Sequence, residues 1–180
     1  MYGLVNKAIK DLVCEKFGQE KWEAIAREAN FEDPEFVGLQ SYPDQLTYDL
    51  VKSSSKVLGV DANIVLEAFG EYWILFTADE GYGNLMQLAG DSLPDFLNNL
   101  DMLHTRLSNL MPNLAAPQFS TRNVQANSLE LEYRSHRKGL EPMVVGLLRG
   151  LGKRFEMEVK VQQIADSESD PTCRVFHVSW

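Results

Sequence analysis

Apolar side chains recur at helical spacing through the first half of the chain and alternate with polar ones through much of the last third. Leu4, Val5, Ala8, Ile9, Leu12 and Val13 form the stripe of a first helix, and Trp22, Ile25 and Ala26 that of a second. Asn30-Phe31-Glu32-Asp33-Pro34 breaks the pattern. A third helix is predicted over 44–58, with Leu46, Leu50 and Val51 inward, and a fourth from about Asp61 through Val65, Leu66, Phe69, Tyr72 and Trp73. Gly81, Gly83 and Gly90 bracket a short helix over about 85–88. The next helix starts near Ser92, a cap residue followed by Pro94 and Asp95, which suit a first turn. Its inward positions are Leu93, Leu97, Leu100, His104, Leu107 and Met111, and Pro112 ends it. From 119 the period changes to two. Residues 119–124 and 128–137 read as strands around a Gln125-Ala126-Asn127 turn, 142–155 as a helix, and 157–165 and 173–180 as strands around a polar turn at 166–170. Hairpin, helix, hairpin predicts an α+β fold with a four-stranded antiparallel sheet carrying a helix.

Composition narrows the function. With 26 acidic against 17 basic residues, the chain lacks the clustered cations that nucleic acid and anionic membranes require, so neither is an expected partner. No apolar run is long enough to span a bilayer, and the first residues lack the apolar core of a signal peptide. Cys14 and Cys173 are far apart and belong to no metal-type spacing, which points to a reducing, cytoplasmic setting.

One inward position is out of character. His104 stands where the stripe calls for an aliphatic residue. By itself such a histidine reads most simply as a core side chain bonded to a carbonyl, and its alternative is a metal ligand. Asp101 and Arg106 fall off the inward face and need no role beyond solvation. Downstream, Tyr133, Ser135 and Arg137 are spaced by two, which on a strand puts them on one face, while Arg134 and His136 face the other way. Alone this is a polar stripe. Arg makes a two-pronged bond to a carboxylate, and the two hydroxyls donate to remaining oxygens. One imidazole for a metal and three groups for a pair of carboxylates together describe a site for iron protoporphyrin. No Cys-x-x-Cys-His is present, so the heme would be held without thioether bonds.

The same residues carry a resemblance. Met1-x-Gly3, the run Asn99-Leu100-Asp101-Met102-Leu103-His104, Pro117 thirteen positions after the histidine, and Tyr133-x-Ser135-x-Arg137 are similar to the heme nitric oxide/oxygen binding (H-NOX) family. That family includes the heme domain of soluble guanylate cyclase. Phe69-Gly70-Glu71-Tyr72-Trp73 and Gly81-Tyr82-Gly83 resemble its cyanobacterial members. The resemblance covers the whole chain. It implies a single H-NOX domain, with a distal helical subdomain at about 1–60, a proximal sheet subdomain at about 61–180, and heme b buried between them. His104 would be the proximal iron ligand, Tyr133, Ser135 and Arg137 would hold the propionates, and Pro117 would press on the porphyrin. Val5, Ile9, Trp73, Ile74 and Leu147 would be distal or wall positions, and Tyr2 would touch the porphyrin edge. The position where oxygen-binding members carry a tyrosine is Met143, which donates no hydrogen bond. The Trp73 indole N–H is the one donor in this set of wall residues.

The implied function is a non-enzymatic sensor that binds NO and CO at ferrous heme and excludes O₂. NO would weaken the Fe–His104 bond and shift the subdomains. No output domain is evident, so the expected partner acts in trans, a histidine kinase or a cyclic-dinucleotide enzyme. The rival readings are O₂ binding, a peroxidase-like heme enzyme, and an interaction module without heme. A peroxidase needs a distal acid–base pair that Met143 does not provide.

Overall fold

The computed structural model describes residues 1–31, 35–112, 114–166 and 170–180. Helices α1 (Gly3–Phe17), α2 (Gln19–Glu28), α3 (Asp44–Leu58) and α4 (Ala62–Thr77) lead the chain. A π turn over Ala78–Tyr82 joins α4 to the short α5 (Gly83–Gln87), followed by α6 (Leu93–Asn98) and α7 (Leu100–Leu110). Then come β1 (Gln118–Arg122), β2 (Ser128–Arg134), α8 (Glu141–Arg154), β3 (Lys160–Asp166) and β4 (Cys173–Ser179). Two predicted breaks, at 30–34 and 166–170, fall partly outside the described residues, at 32–34 and 167–169.

The sheet has the order β1-β2-β4-β3 with every neighbouring pair antiparallel. Its α+β architecture is the one the change of period predicts. Leu129, Leu131 and Tyr133 alternate inward on β2, opposite Val178, Phe176 and Arg174 of β4. Two hairpins supply the four strands, and α8 connects them, so the two inner strands come from different hairpins.

Local chemistry sets two boundaries differently from the periodicity. The helix predicted from Ser92 to Pro112 is two helices. Ser92 does cap the first, accepting a bond from the Asp95 N–H at 3.3 Å. At Asn99 the backbone leaves helical geometry (φ −99°, ψ 4°), and the Asn99 amide donates to the Ala89 carbonyl at 2.9 Å. Asparagine competes with the helical ladder in this way, and the register of apolar residues carries no trace of it. The second boundary is the end of β2 at Arg134. Ser135 and Arg137 lie beyond the strand, so their shared face is not a property of strand alternation.

Side chains pack in two apolar clusters. One gathers α1 to α4 around Trp22, Ile25 and Leu50 and reaches Met111 and Leu140. The other gathers α6, α8 and the inner sheet face around Leu93, Phe96, Leu131, Leu148 and Phe176. Helix α4 contributes Leu66 and Phe69 to the first and Ile74 to the second. It lies directly against α8. A Cβ on Gly70 would stand 2.1 Å from the Met143 carbonyl oxygen, and one on Gly146 2.0 Å from that of Glu67. Only hydrogen in place of a side chain allows this approach. Lys153 reinforces it by donating to Glu71 at 2.6 Å.

Candidate functional site

A cavity of about 400 Å³ opens between the two clusters, within the roughly 300–1,000 Å³ common for small-molecule and cofactor sites. Helix α7 forms one side of it through Leu100, Leu103, His104 and Leu107. No residue of α7 is buried, although the helix is amphipathic. An apolar helix face that meets space instead of side chains marks the seat of a bound group.

His104 is held from behind. Its Nδ1 lies 3.2 Å from the Pro117 carbonyl oxygen. A carbonyl only accepts, so Nδ1 carries the proton and Nε2 keeps its lone pair. Burial lowers the imidazole pKa, with nearby Asp101 and the Pro117 bond acting in the opposite sense, so the neutral form is favoured. That is the form that ligates a metal, with the other nitrogen oriented by a backbone acceptor. Asp101 is not merely solvated. Its carboxylate accepts the Phe119 N–H at 2.6 Å and pins α7 to the start of β1. The helical period left Asp101 on an outer face, and its acceptor role depends on where β1 begins.

Among the described residues no group of three or more His, Cys, Asp or Glu could hold a metal ion. His104 offers one bond to a metal, and a porphyrin is a group that would supply the others. Tyr133, Ser135 and Arg137 all line the same cavity. Tyr133 points inward from β2 and burial raises its phenol pKa. Ser135 accepts the Arg137 N–H at 3.1 Å in the turn that follows. The Arg137 guanidinium donates from Nε to Asp44 at 2.7 Å and also bonds the Ala115 carbonyl. Hydrogen bonding to Arg137 is the main cause holding the Asp44 carboxyl down at about 2.

Val5, Trp73, Ile74, Met143 and Leu147 also line the cavity, from α1, α4 and α8. Pro117 and Tyr2 also line the space, and the Tyr2 hydroxyl donates to the Pro112 carbonyl. Ile9 does not reach it. One turn beyond Val5 along α1, it is 2% exposed and packs inside the first cluster. Asp44 is the contact that sequence reasoning missed, since an acidic residue in a first helical turn ordinarily reads as a partner of the helix dipole. Thr77, which carried no sequence signal, also lines the cavity, as does Tyr82 of the Gly81-Tyr82-Gly83 motif. His136 is exposed, as its position in the motif implies.

A single imidazole with a free Nε2, apolar walls and one cation at the rim suit a porphyrin with ionised side chains. A family model described as Haem-NO-binding matches residues 2–163. The chain belongs to this family. Soluble guanylate cyclase gcy-35 of Caenorhabditis elegans is 33% identical over 174 residues, covering 91% of this chain and 25% of that protein. Soluble guanylate cyclase 89Db of Drosophila melanogaster is 23% identical over 170 residues, covering 94% and 25%. The chain thus spans about a quarter of the length of the curated relatives it matches. Among solved structures, an unliganded Fe(II) H-NOX protein from K. algicida superposes with a TM-score of 0.85 at 21% identity, covering 99% of this chain and 96% of that one. An H-NOX protein from S. oneidensis in the Fe(II)NO state gives 0.88 at 18%, covering 99% and 98%. At these identities the likeness establishes the H-NOX fold. As an H-NOX domain the chain is a heme-binding gas sensor module and not itself catalytic. Among the described residues, no helix is long and apolar enough to cross a membrane.

Proposed function

We propose that this domain carries heme b, binds NO and CO at the ferrous iron and discriminates against O₂. We assign His104 as the one protein ligand and Tyr133, Ser135 and Arg137 as the contacts to the propionates. The observation that carries the reading is His104, its Nδ1–H spent on the Pro117 carbonyl and its Nε2 left free beside an apolar cavity with a cationic rim. Bound heme supplies the iron that takes up a diatomic gas. Everything else is done by side chains of this chain.

Gas selectivity follows from which wall residues can donate a hydrogen bond. Bound O₂ develops negative charge and gains from a donor, whereas NO and CO gain far less. Val5, Ile74, Met143 and Leu147 have none to offer. The Trp73 indole is the donor within this wall set, and its replacement belongs in the test. A changed hold on His104 would pass along two bonds into the sheet, from Nδ1–H to Pro117 and from Asp101 to the Phe119 N–H. The two subdomains, at about 1–60 and 61–180, are the bodies we expect to shift, as a population change between two packings. The relatives named soluble guanylate cyclases join a matching module to a much longer chain, which supports a signalling output. A histidine kinase or cyclic-dinucleotide enzyme acting in trans is the partner we propose.

The test is the absorption spectrum of the reduced, heme-loaded protein in air and then under NO and under CO. NO and CO should each give a new ligated spectrum, while air should give no stable oxy form. A stable oxy complex overturns the selectivity, and the Trp73→Phe variant then reports whether the indole is its cause. Met143→Tyr should raise O₂ affinity, and an unchanged affinity would remove Met143 from the distal wall.

A further inference from the structure

The cation proposed to meet the cofactor's carboxylates already holds one. Arg137 donates from Nε to Asp44 Oδ2 at 2.7 Å and from Nη2 to Asp44 Oδ1 at 3.3 Å. This is the two-pronged edge by which a guanidinium recognises a carboxylate. Its Nη1 side is given to the Ala115 carbonyl. Arg137 is 14% exposed and Asp44 35% exposed, so the pair sits at the rim of the cavity. Among the described residues lining the cavity, Arg137 is the single Lys or Arg and Asp44 the single carboxylate. They neutralise each other. A ligand that arrives with two carboxylates finds the only guanidinium of its site engaged.

We propose that Asp44 is a built-in competitor for the carboxylates of the cofactor: it occupies the Arg137 fork in the heme-free protein and yields it on loading, which sets how tightly heme is held. The proposal rests on the reading of Arg137 as a propionate contact. When a propionate reaches Arg137, either Asp44 leaves or two anions share one guanidinium. The first alternative loses charge-assisted bonds and the second adds like-charge repulsion, so each weakens apparent affinity. Binding is diminished by the fraction of molecules whose Arg137 is committed to Asp44. Asp44 has a second cation to turn to, since its Oδ1 also bonds the Met1 ammonium. Asp44 is the first residue of α3, and Thr47, Tyr48 and Val51 of that helix line the cavity. Exchange at Asp44 therefore couples loading to the start of a helix that forms the wall.

The opposite arrangement has the opposite sign. If Asp44 served to orient Arg137 for the cofactor, removing its charge would loosen heme. The experiment is heme transfer from the loaded protein to excess apomyoglobin, together with the thermal midpoint of the heme-free protein. It uses the wild type, Asp44→Asn, Arg137→Ala and the double variant. Asp44→Ser, uncharged and small enough for the first turn of α3, stands in if the asparagine variant folds poorly. Asp44→Asn should slow heme loss about fivefold, the order expected when only about a fifth of the molecules hold Arg137 free, while lowering the heme-free midpoint. Opposite signs in the two readouts separate competition from general damage. Arg137→Ala should speed heme loss, and the double variant should match Arg137→Ala alone, because Asp44 acts through Arg137. Faster or unchanged loss in Asp44→Asn, with Arg137→Ala still faster, overturns the competition and leaves the propionate assignment standing. Slower loss persisting in the double variant also overturns it. Unchanged loss in Arg137→Ala overturns both readings together.

Discussion

His104 and Arg137 illustrate how differently two site residues are fixed. The imidazole has one backbone partner and owes its neutral state chiefly to burial. Replacing it by alanine should abolish heme retention, and added imidazole should restore a heme spectrum by filling the space. Unchanged heme content in His104→Ala would remove it as the ligand. The same burial sets a pH dependence in the heme-free protein. The folded-state pKa lies below 6.5, so the unfolded chain binds more protons as pH falls through that value. Stability is present above 6.5 and declines as pH falls toward the folded pKa. Urea midpoints between pH 7.5 and about 5 should fall for the wild type and fall less for His104→Ala. Asp44 titrates elsewhere. Its contribution is present above 3.8 and lost as pH drops toward about 2, so the two effects occupy separate windows. Both residues stood out in the sequence or could be weighed there. What Arg137 touches could not, because Asp44 is 93 positions away.

At the scale of elements, the contact of α4 with α8 holds Trp73 and Ile74 beside Met143 and Leu147. A methyl group on Gly146 would collide with the Glu67 carbonyl oxygen, which is backbone and cannot swing aside. Gly146→Ala should cost about 1–3 kcal/mol by urea denaturation, as forced overpacking does, and should broaden the heme spectrum by separating the two helices. A neutral stability change would mean that the helices can part without loss. Helices and strands were legible because their apolar periods differ, and the swap from 3.6 to two at residue 119 survives in the structure as the start of the sheet. The break at Asn99 was not legible, since Leu97, Leu100 and His104 keep a helical register across it. The Asn99 amide needs the Ala89 carbonyl as partner, and that carbonyl arrives only by tertiary packing. The end of β2 at Arg134 was hidden for a related reason. The Tyr-x-Ser-x-Arg spacing mimics a strand, yet Ser135 and Arg137 reach the cavity from a turn.

Across the whole molecule, two apolar clusters face each other over a space that neither fills. Filling it should stabilise the fold by mass action. At a heme concentration near a thousand times its Kd the gain is about 4 kcal/mol, or roughly 8–16 °C in a domain of this size. A calorimetric midpoint unmoved by heme would mean that the cavity is not where heme binds. The sequence alone determined the α+β class and the family, and it singled out His104 and the triplet Tyr133, Ser135 and Arg137, because periodicity and local motifs are written in neighbouring residues. Tertiary structure alone decided the rest. It turned Ile9 into core, gave Asp101 a backbone N–H to hold, and placed Asp44 in the fork of Arg137. These contacts join residues far apart in the chain, and their energies depend on distance and burial, which no local pattern encodes.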